Sequence, residues 1–325
     1  MENICRIVLL ATALGISACG PKSDEPATDE ANMPDPITSP FATLPIDPPV
    51  AQKRPVEIEQ HGIKRIDNYG WMRDENWQEV LRDPGKLDAD IREHLEAENT
   101  YYETATGDLE KLRERLFEEM RGRIKEDDST VPAADGDFAY AVRFRDGGEY
   151  PIFVRTPRKG GDETILYDGD LEGEGEDFFR IAAVDRSPNH EFIAYGVDRL
   201  GSEYYDIRIR TIETGEEFEE TIPSTGGSVV WAADSKSFYY VERDDNQRPK
   251  RVKHHIVGTD PADDLLVYEE PDDSYFLGIG KSQSGDYLFI GVRKGTSSEY
   301  RYLAADAKPG TQPILIAPRL EDELY

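Results

Sequence analysis

Four stretches share one grammar, a polar turn followed at once by an apolar run: Ala133-Ala-Asp-Gly-Asp-Phe-Ala-Tyr140, Ser187-Pro-Asn-His-Glu-Phe-Ile-Ala-Tyr195, Ala233-Asp-Ser-Lys-Ser-Phe-Tyr-Tyr240 and Ser282-Gln-Ser-Gly-Asp-Tyr-Leu-Phe289. They begin at residues 133, 187, 233 and 282, a loose period of about fifty. A repeat of that length in a region of short strands is the signature of propeller blades.

The strands inside a block follow from alternation and turn residues. In the second block Arg180 to Val184 reads as the inner strand, Phe192 to Val197 as the next, Tyr205 to Thr211 as the third and Glu217 to Ile222 as the outer one. Tyr205, Ile207 and Ile209 face one side while Asp206, Arg208 and Arg210 face the other, the period-two pattern of a half-buried strand. Thr214-Gly215 supplies the hairpin turn. The third block repeats the scheme with Ser228 to Trp231, Phe238 to Glu242, Arg251 to Val257 and Leu265 to Tyr268.

With 325 residues, 38% of them apolar, the chain can build one large core or two ordinary ones. A net charge of −29 argues against nucleic acid as a partner, because phosphate binding needs clustered Lys and Arg. Acidity of this kind mainly keeps a protein soluble, and it also suits basic peptides.

Residues 1–18 read as a targeting segment. The apolar run Ile7 to Ile16 is too short for a permanent bilayer span and ends in Ile16-Ser17-Ala18-Cys19-Gly20, which resembles the bacterial lipoprotein cleavage box. In that class the Cys, here Cys19, becomes the lipid-bearing first residue of the mature chain. An ordinary signal peptide that happens to contain a Cys is the alternative. The other cysteine, Cys5, leaves with the signal, so no disulfide is expected. Several acyl chains on one residue hold a protein stably on a membrane, and Gly20 rather than Asp after Cys19 favours the outer membrane of a bacterial cell envelope, facing the periplasm. Residues 19–50 hold eight of the 21 prolines amid Asp, Glu, Ser and Thr, and read as a disordered tether. Fully extended, such a tether reaches at most about 95 Å, at about 3.1 Å per residue.

A helical segment, residues 51–128, precedes the repeats of 129–325. Its helices run from about Asn76 to Arg123. Asp88 is placed to cap one that carries Ile91, Leu95 and Tyr102 near one face and ends at Gly107. Asp108 is placed to cap a second, in which Leu109, Leu112, Leu116, Phe117, Met120 and Ile124 recur at spacings of three and four. Each has a single apolar stripe and needs a surface to cover it.

Several separate segments then point to one family. Arg65-Ile-Asp-Asn-Tyr-Gly-Trp-Met-Arg-Asp74 resembles the opening motif of the prolyl oligopeptidase family of serine peptidases, most closely its oligopeptidase B branch. The likeness continues through Leu95-Glu-Ala-Glu-Asn99, Leu116-Phe-Glu-Glu-Met120 with Ile124 and Asp127-Asp128, and Tyr205-Asp-Ile-Arg208. It goes on through His255-Ile-Val-Gly-Thr-Asp260 and Leu266-Val-Tyr-Glu-Glu270. The resemblance implies a two-part enzyme: an α/β-hydrolase domain bearing Ser, Asp and His, capped by a seven-bladed propeller that admits only short peptides. It also implies that the N-terminal helices pack on the hydrolase domain, and that cleavage follows Lys or Arg through acidic pocket residues of that domain.

The sequence departs from the family pattern in one large respect. A nucleophile elbow needs Gly-x-Ser-x-Gly between a strand and a helix, and the nearest approach, Gly15-Ile-Ser17-Ala-Cys19, lies in the targeting segment. The expectation is therefore a mainly β chain, an incomplete seven-bladed-type propeller of about four blades preceded by an α-helical segment, with the hydrolase domain missing and no activity alone. Closure as a four-bladed ring is the competing architecture. No catalytic, cofactor or metal residue is nominated. His254 and His255 are neighbours on a strand, so they face opposite sides and read as strand decoration. His61, His94 and His190 are isolated, Glu172-Gly-Glu-Gly-Glu-Asp177 lacks a calcium-loop spacing and reads as a solvated loop, and Ser282, Ser284, Ser297 and Ser298 sit in turns without a base. Two function classes follow: the leading part of an oligopeptidase B-like peptidase acting on short peptides, or a membrane-tethered binding or scaffold propeller.

Overall fold

The computed structural model describes residues 46–325, so Cys19 and most of the expected tether lie outside it. The described chain falls into two units. One takes in the residues up to Trp77 together with Leu87–Arg123, the other Gln78–Lys86 and Ile124–Tyr325.

The first unit opens with an antiparallel hairpin, β1 (Val56–Gln60) and β2 (Ile63–Asp67). His61 and Gly62 turn it with φ of 56° and 74°, the left-handed pair that a tight two-residue hairpin demands. Three helices follow: α1 (Trp77–Arg82), which carries the chain from one unit into the other, then α2 (Ala89–Thr106) and α3 (Glu110–Arg121). The Asp88 carboxylate caps α2 as its position predicts, accepting from the amides of Asp90 and Ile91 at 2.9 and 3.4 Å. Asp108 does not cap α3. It lies inside a 3-10 turn, Gly107–Leu109, and Leu109 holds the cap position with no side-chain bond, because the chain passes from α2 to α3 without the extended residue a capping side chain needs. Only Ile91 of α2 is buried. Leu112, Leu116, Phe117 and Met120 of α3 are all exposed.

The second unit carries the repeats. Its first sheet is β3 (Ala133–Asp135), β4 (Phe138–Arg143), β5 (Ile152–Pro157) and β6 (Thr164–Asp168), followed by one helical turn, α4 (Gly169–Glu172). Then come β7 (Arg180–Arg186), β8 (Phe192–Asp198), β9 (Tyr205–Thr211), β10 (Ile222–Trp231), β11 (Ser237–Arg243), β12 (Pro249–Ile256) and β13 (Leu265–Glu269). The last sheet is β14 (Phe276–Lys281), β15 (Tyr287–Lys294), β16 (Ser297–Ala304) and β17 (Ile314–Ala317). Neighbouring strands pair antiparallel in sequence order, as blades require.

The middle sheet has seven strands because β10 serves two blades. Its start pairs with β9 through Ile222↔Ile207 and Thr225↔Tyr205, and its end pairs with β11 through Val229↔Tyr240 and Trp231↔Phe238. The outer strand expected at Glu217 to Ile222 is accordingly reduced to a single bridge, Arg210↔Glu217, before β10 begins. Gly196 and Gly227 give the reason. The chain crosses from one blade to the next over the second blade's own face, and a methyl group on Gly196 would run into the Gly227 backbone. Glycine at both positions lets the crossing lie flat and keep its pairing.

Three apolar cores separate the four blades. Tyr140, Leu166 and Tyr167 of the first blade meet Ile193, Tyr195 and Val197 of the second. Ala194, Ile207 and Ile209 meet Val229, Trp231, Phe238 and Tyr240 of the third. Tyr239, Val252 and Val267 meet Leu277, Leu288, Ile290 and Val292 of the fourth. The alternation of β11 explains the economy: Phe238 and Tyr240 face one neighbour, Tyr239 faces the other. A closed four-bladed ring would cover the far face of the fourth blade. There Phe276, Tyr287 and Ile314 are exposed instead, so the second unit is part of a propeller.

Candidate functional site

The first strands of successive blades, β3, β7, the end of β10 and β14, are tied together by polar contacts. Arg186 Nη2 lies 2.7 Å from Asp135 Oδ2, and its guanidinium sits 4.1 Å over the Tyr140 ring. The adjacent residue Asp185 points the other way, as strand pleating requires. Its Oδ2 accepts the Val229 amide at 3.0 Å and its carbonyl accepts the Trp231 indole N–H at 3.1 Å. Lys281 Nζ donates to the Trp231 carbonyl at 3.2 Å. Burial pushes the Asp185 carboxyl up, outweighing the Val229 amide and the Arg186 charge, and pushes the Lys281 ammonium down, outweighing the Asp135 charge. The result is an inner seam of charged and polar contacts from blade to blade.

At the end of the blades where the second and third strands join, a cavity of ≈ 300 Å³ is lined by Arg82, Leu200, Tyr204, Asp206, Arg208 and Ser224, among others. The Asp198 carboxylate builds the loop beside it, accepting from the amides of Leu200, Gly201 and Glu203 at 2.9, 3.0 and 2.7 Å. Asp206 is raised above the usual carboxylate range, first by burial and then by the Asp198 charge. Arg208 is spent on Glu217 at 2.7 Å.

The third and fourth blades are joined by a buried ion network. Arg319 donates to both oxygens of Glu270, at 3.1 and 2.7 Å, and to Glu299 at 3.3 Å, and it lies 4.2 Å over Tyr275. The Glu270 hydroxyl partner is Tyr268, at 2.8 Å. Glu270 is only 1% exposed. Burial raises its pKa, but the bonds from Arg319, the Asp272 amide and Tyr268 outweigh that and leave it low.

The residues weighed from sequence are spread over strands, turns and α2. His254 and His255 face opposite sides, and neither decorates a surface: both are buried, one beside Tyr239 at 4.7 Å, the other beside Phe238 at 5.1 Å. His255 Nδ1 lies 2.7 Å from Asp264, whose other oxygen accepts the Tyr240 hydroxyl at 2.8 Å. This is a His–Asp pair without a serine or cysteine nucleophile bonded to it. His190 sits at φ 62° with Nδ1 2.7 Å from the Tyr140 hydroxyl, His94 pairs with Glu98 at 3.6 Å, and His61 turns the first hairpin. Ser297 bonds Tyr275 and the Leu320 carbonyl, Ser298 accepts the Tyr325 amide, and Ser282 and Ser284 close a turn. The acidic stretch from Glu172 is not simply solvated. Glu172 pairs with Arg210 at 2.7 Å and Glu176 pairs with Arg199, because two guanidiniums project from the second blade toward it. Among the described residues no three His, Cys, Asp or Glu side chains converge as metal ligands. Arg82, Tyr204 and Arg319 had no local sequence signal, since their partners lie tens of residues away or more.

Comparison with known proteins agrees with this architecture. A family model described as the prolyl oligopeptidase N-terminal beta-propeller domain matches residues 48–325. Dipeptidyl aminopeptidase BI of Pseudoxanthomonas mexicana is 34% identical over 310 residues, 90% of this chain and 41% of that protein. Protease 2 of Moraxella lacunata is 30% identical over 248 residues, 74% of this chain and 34% of that protein. The solved structure of oligopeptidase B from Leishmania major superposes with a TM-score of 0.77 at 26% identity, over 84% of this chain and 40% of that one. The chain thus spans about two-fifths or less of the length of these relatives.

Proposed function

Because the chain belongs to the prolyl oligopeptidase family, we propose that it is the propeller-bearing N-terminal part of an oligopeptidase B-like serine peptidase that cleaves short peptides after Lys or Arg. The observation that carries this reading is the stack of blades joined by three apolar cores within the span of the family match, 129–325 inside 48–325. In this division of labour, the Ser, His and Asp that perform acyl transfer belong to an α/β-hydrolase portion that is not in this sequence. The blades restrict access to short peptides, and the charged inner seam meets them. Cys19 carries lipid and holds the protein on the outer membrane of the bacterial envelope through the 19–50 tether.

A second reading has a specific support: a relative at 34% identity is named a dipeptidyl aminopeptidase. On that reading the same scaffold admits a peptide end and releases dipeptides.

Native protein purified from membranes of the source cells, with an antibody to the propeller, separates the readings. Hydrolysis of an arginyl amide reporter, abolished by a serine-directed inhibitor, is the expected result. Turnover of a free-amino dipeptidyl reporter but not its N-blocked form selects the second. A band near 37 kDa with no hydrolysis of either overturns both in favour of a binding propeller. Lipidation is checked separately: Cys19→Ser should move the protein from the membrane to the soluble fraction.

A further inference from the structure

Most guanidiniums of the first two blades meet a carboxylate: Arg143, Arg186, Arg208 and Arg210 do so at 3.0 Å or less. Arg155 of β5 makes no ion pair among the described residues, in a chain with 67 Asp and Glu against 38 Lys and Arg. Its Nη1 donates to the His190 carbonyl at 2.6 Å and its guanidinium lies 4.2 Å over the Phe138 ring, while its Nε is buried with no partner. A buried N–H without an acceptor is costly, so the fold holds this cation in place with donor capacity unspent.

Arg155 lines a cavity of ≈ 450 Å³ at the end of the blades where the third and fourth strands join, together with Thr164, Glu191, Phe192, Ile212 and Glu213 among others. Sites for small molecules commonly have such a volume. Backbone pairing orders the wall: Thr164 is the strand partner of Arg155, Thr211 that of Phe192, and the Ile212 amide donates to the Glu191 carbonyl at 2.8 Å. The turn before Glu191 is fixed as well. His190 stands at φ of 62°, held by its amide on the Ser187 carbonyl at 2.9 Å and by its Nδ1, 2.7 Å from the Tyr140 hydroxyl. Glu191 accepts from the Asn189 side chain at 2.7 Å, and the Glu213 carboxylate makes no bond among the described residues. Cation and carboxylates thus line one cavity without pairing with each other.

We propose that this cavity binds a small zwitterion, an α-amino acid with an apolar side chain, whose carboxylate meets Arg155, whose ammonium meets Glu213 and whose side chain lies on Phe192 and Ile212. A lone anion would face the two carboxylates and a lone cation would face Arg155, so a guest bearing both charges is selected over either. The inference goes beyond the peptidase reading and does not depend on it, since every residue it uses lies on the first two blades.

Calorimetric titration of the full chain with L-leucine provides the test. Saturable binding is expected, with 4-methylpentanoate and isopentylamine, which keep one charge each, weaker by about tenfold or more. Arg155→Gln and Glu213→Gln should each weaken L-leucine by about tenfold or more, as loss of a charge-assisted bond does. Absence of saturable heat up to about 20 mM L-leucine overturns the site, as does equal binding of 4-methylpentanoate or an unchanged L-leucine affinity in either folded variant. Should Arg155→Gln fail to fold, Glu213→Gln decides alone, because that side chain is exposed.

Discussion

The core between the second and third blades and the surface of α3 are both patterned in apolar residues, yet only the first is buried. Phe238 is 0% exposed, wedged against Trp231 at 5.2 Å and His255 at 5.1 Å, while Phe117 on α3 is 55% exposed. A repeat supplies its own partner: each blade covers the face of the one before. A single amphipathic helix supplies a stripe and nothing to put on it. Burial is thus a property of pairs, and a sequence pattern states only one member of the pair.

The sharpest way to break this contrast is to truncate the buried member. Phe238→Ala should cost about 3–5 kcal/mol in urea unfolding, the usual range for a large aromatic removed from a close-packed core. A loss under about 1 kcal/mol would mean that the interblade core is fluid. The blades would then no longer stand as the rigid half of the comparison.

Arg319→Met comes next. It leaves Glu270 buried with Tyr268 and one amide for company, and Glu299 with Arg301. Removing one partner of such a pair costs about 3–5 kcal/mol when both are buried, and the partial exposure of Arg319 brings the expectation to about 2–3 kcal/mol. The pH dependence has a definite sign. Glu270 has a folded pKa below its ordinary 4.5, so its contribution is full above that value and is lost as pH falls through the lower folded pKa. Glu217 and Glu242 are depressed too: burial works against each, and hydrogen bonds from Tyr195 and Arg210, or from Lys253 and Arg251, win. Wild type should therefore lose stability as pH drops below about 4.5, and Arg319→Met should lose less over the same interval.

How much of this was legible in sequence depends on how local the cause is. Most strands of the second and third blades could be placed to within about two residues, because alternation and turn residues lie side by side: Tyr205–Thr211 is a strand as expected, whereas the outer strand expected at Glu217 to Ile222 is not. The double duty of β10 was hidden, since it follows from the close approach of Gly196 to Gly227, 31 positions away in the chain. The β1–β2 hairpin was legible in principle from Val56, Ile58 and Ile63. Its turn is His61-Gly62, however, rather than the Asn-Gly or Asp-Gly pair that announces such hairpins. The Gln78–Asn246 bond and the Glu270–Arg319 network join residues 49 to 168 positions apart, and no local pattern encodes them.

A smaller effect probes the helical unit itself. Asp88→Ala removes the bonds to the Asp90 and Ile91 amides and should cost the α2 unit about 1 kcal/mol, as cap removal ordinarily does. The matching change at Asp108 should cost nothing measurable, because that carboxylate caps no helix. Amide exchange along α2 and α3 distinguishes the two, and equal effects would show that α3 had acquired a cap in solution that its 3-10 entry denies it.

The smallest effect is the most telling for the comparison. Phe117→Ser on α3 should leave stability within about 0.5 kcal/mol, the range of surface substitutions away from special features, because the ring has little burial to lose. A loss approaching that of Phe238→Ala would mean that the α3 stripe is covered by something in solution, and the stripe would then behave as half of an interface. Should the protein purified from its source lose heavily while this chain alone loses nothing, the cover lies in the remainder of the native protein. That is where the family resemblance expects the surface that Leu112, Leu116, Phe117 and Met120 are shaped to meet.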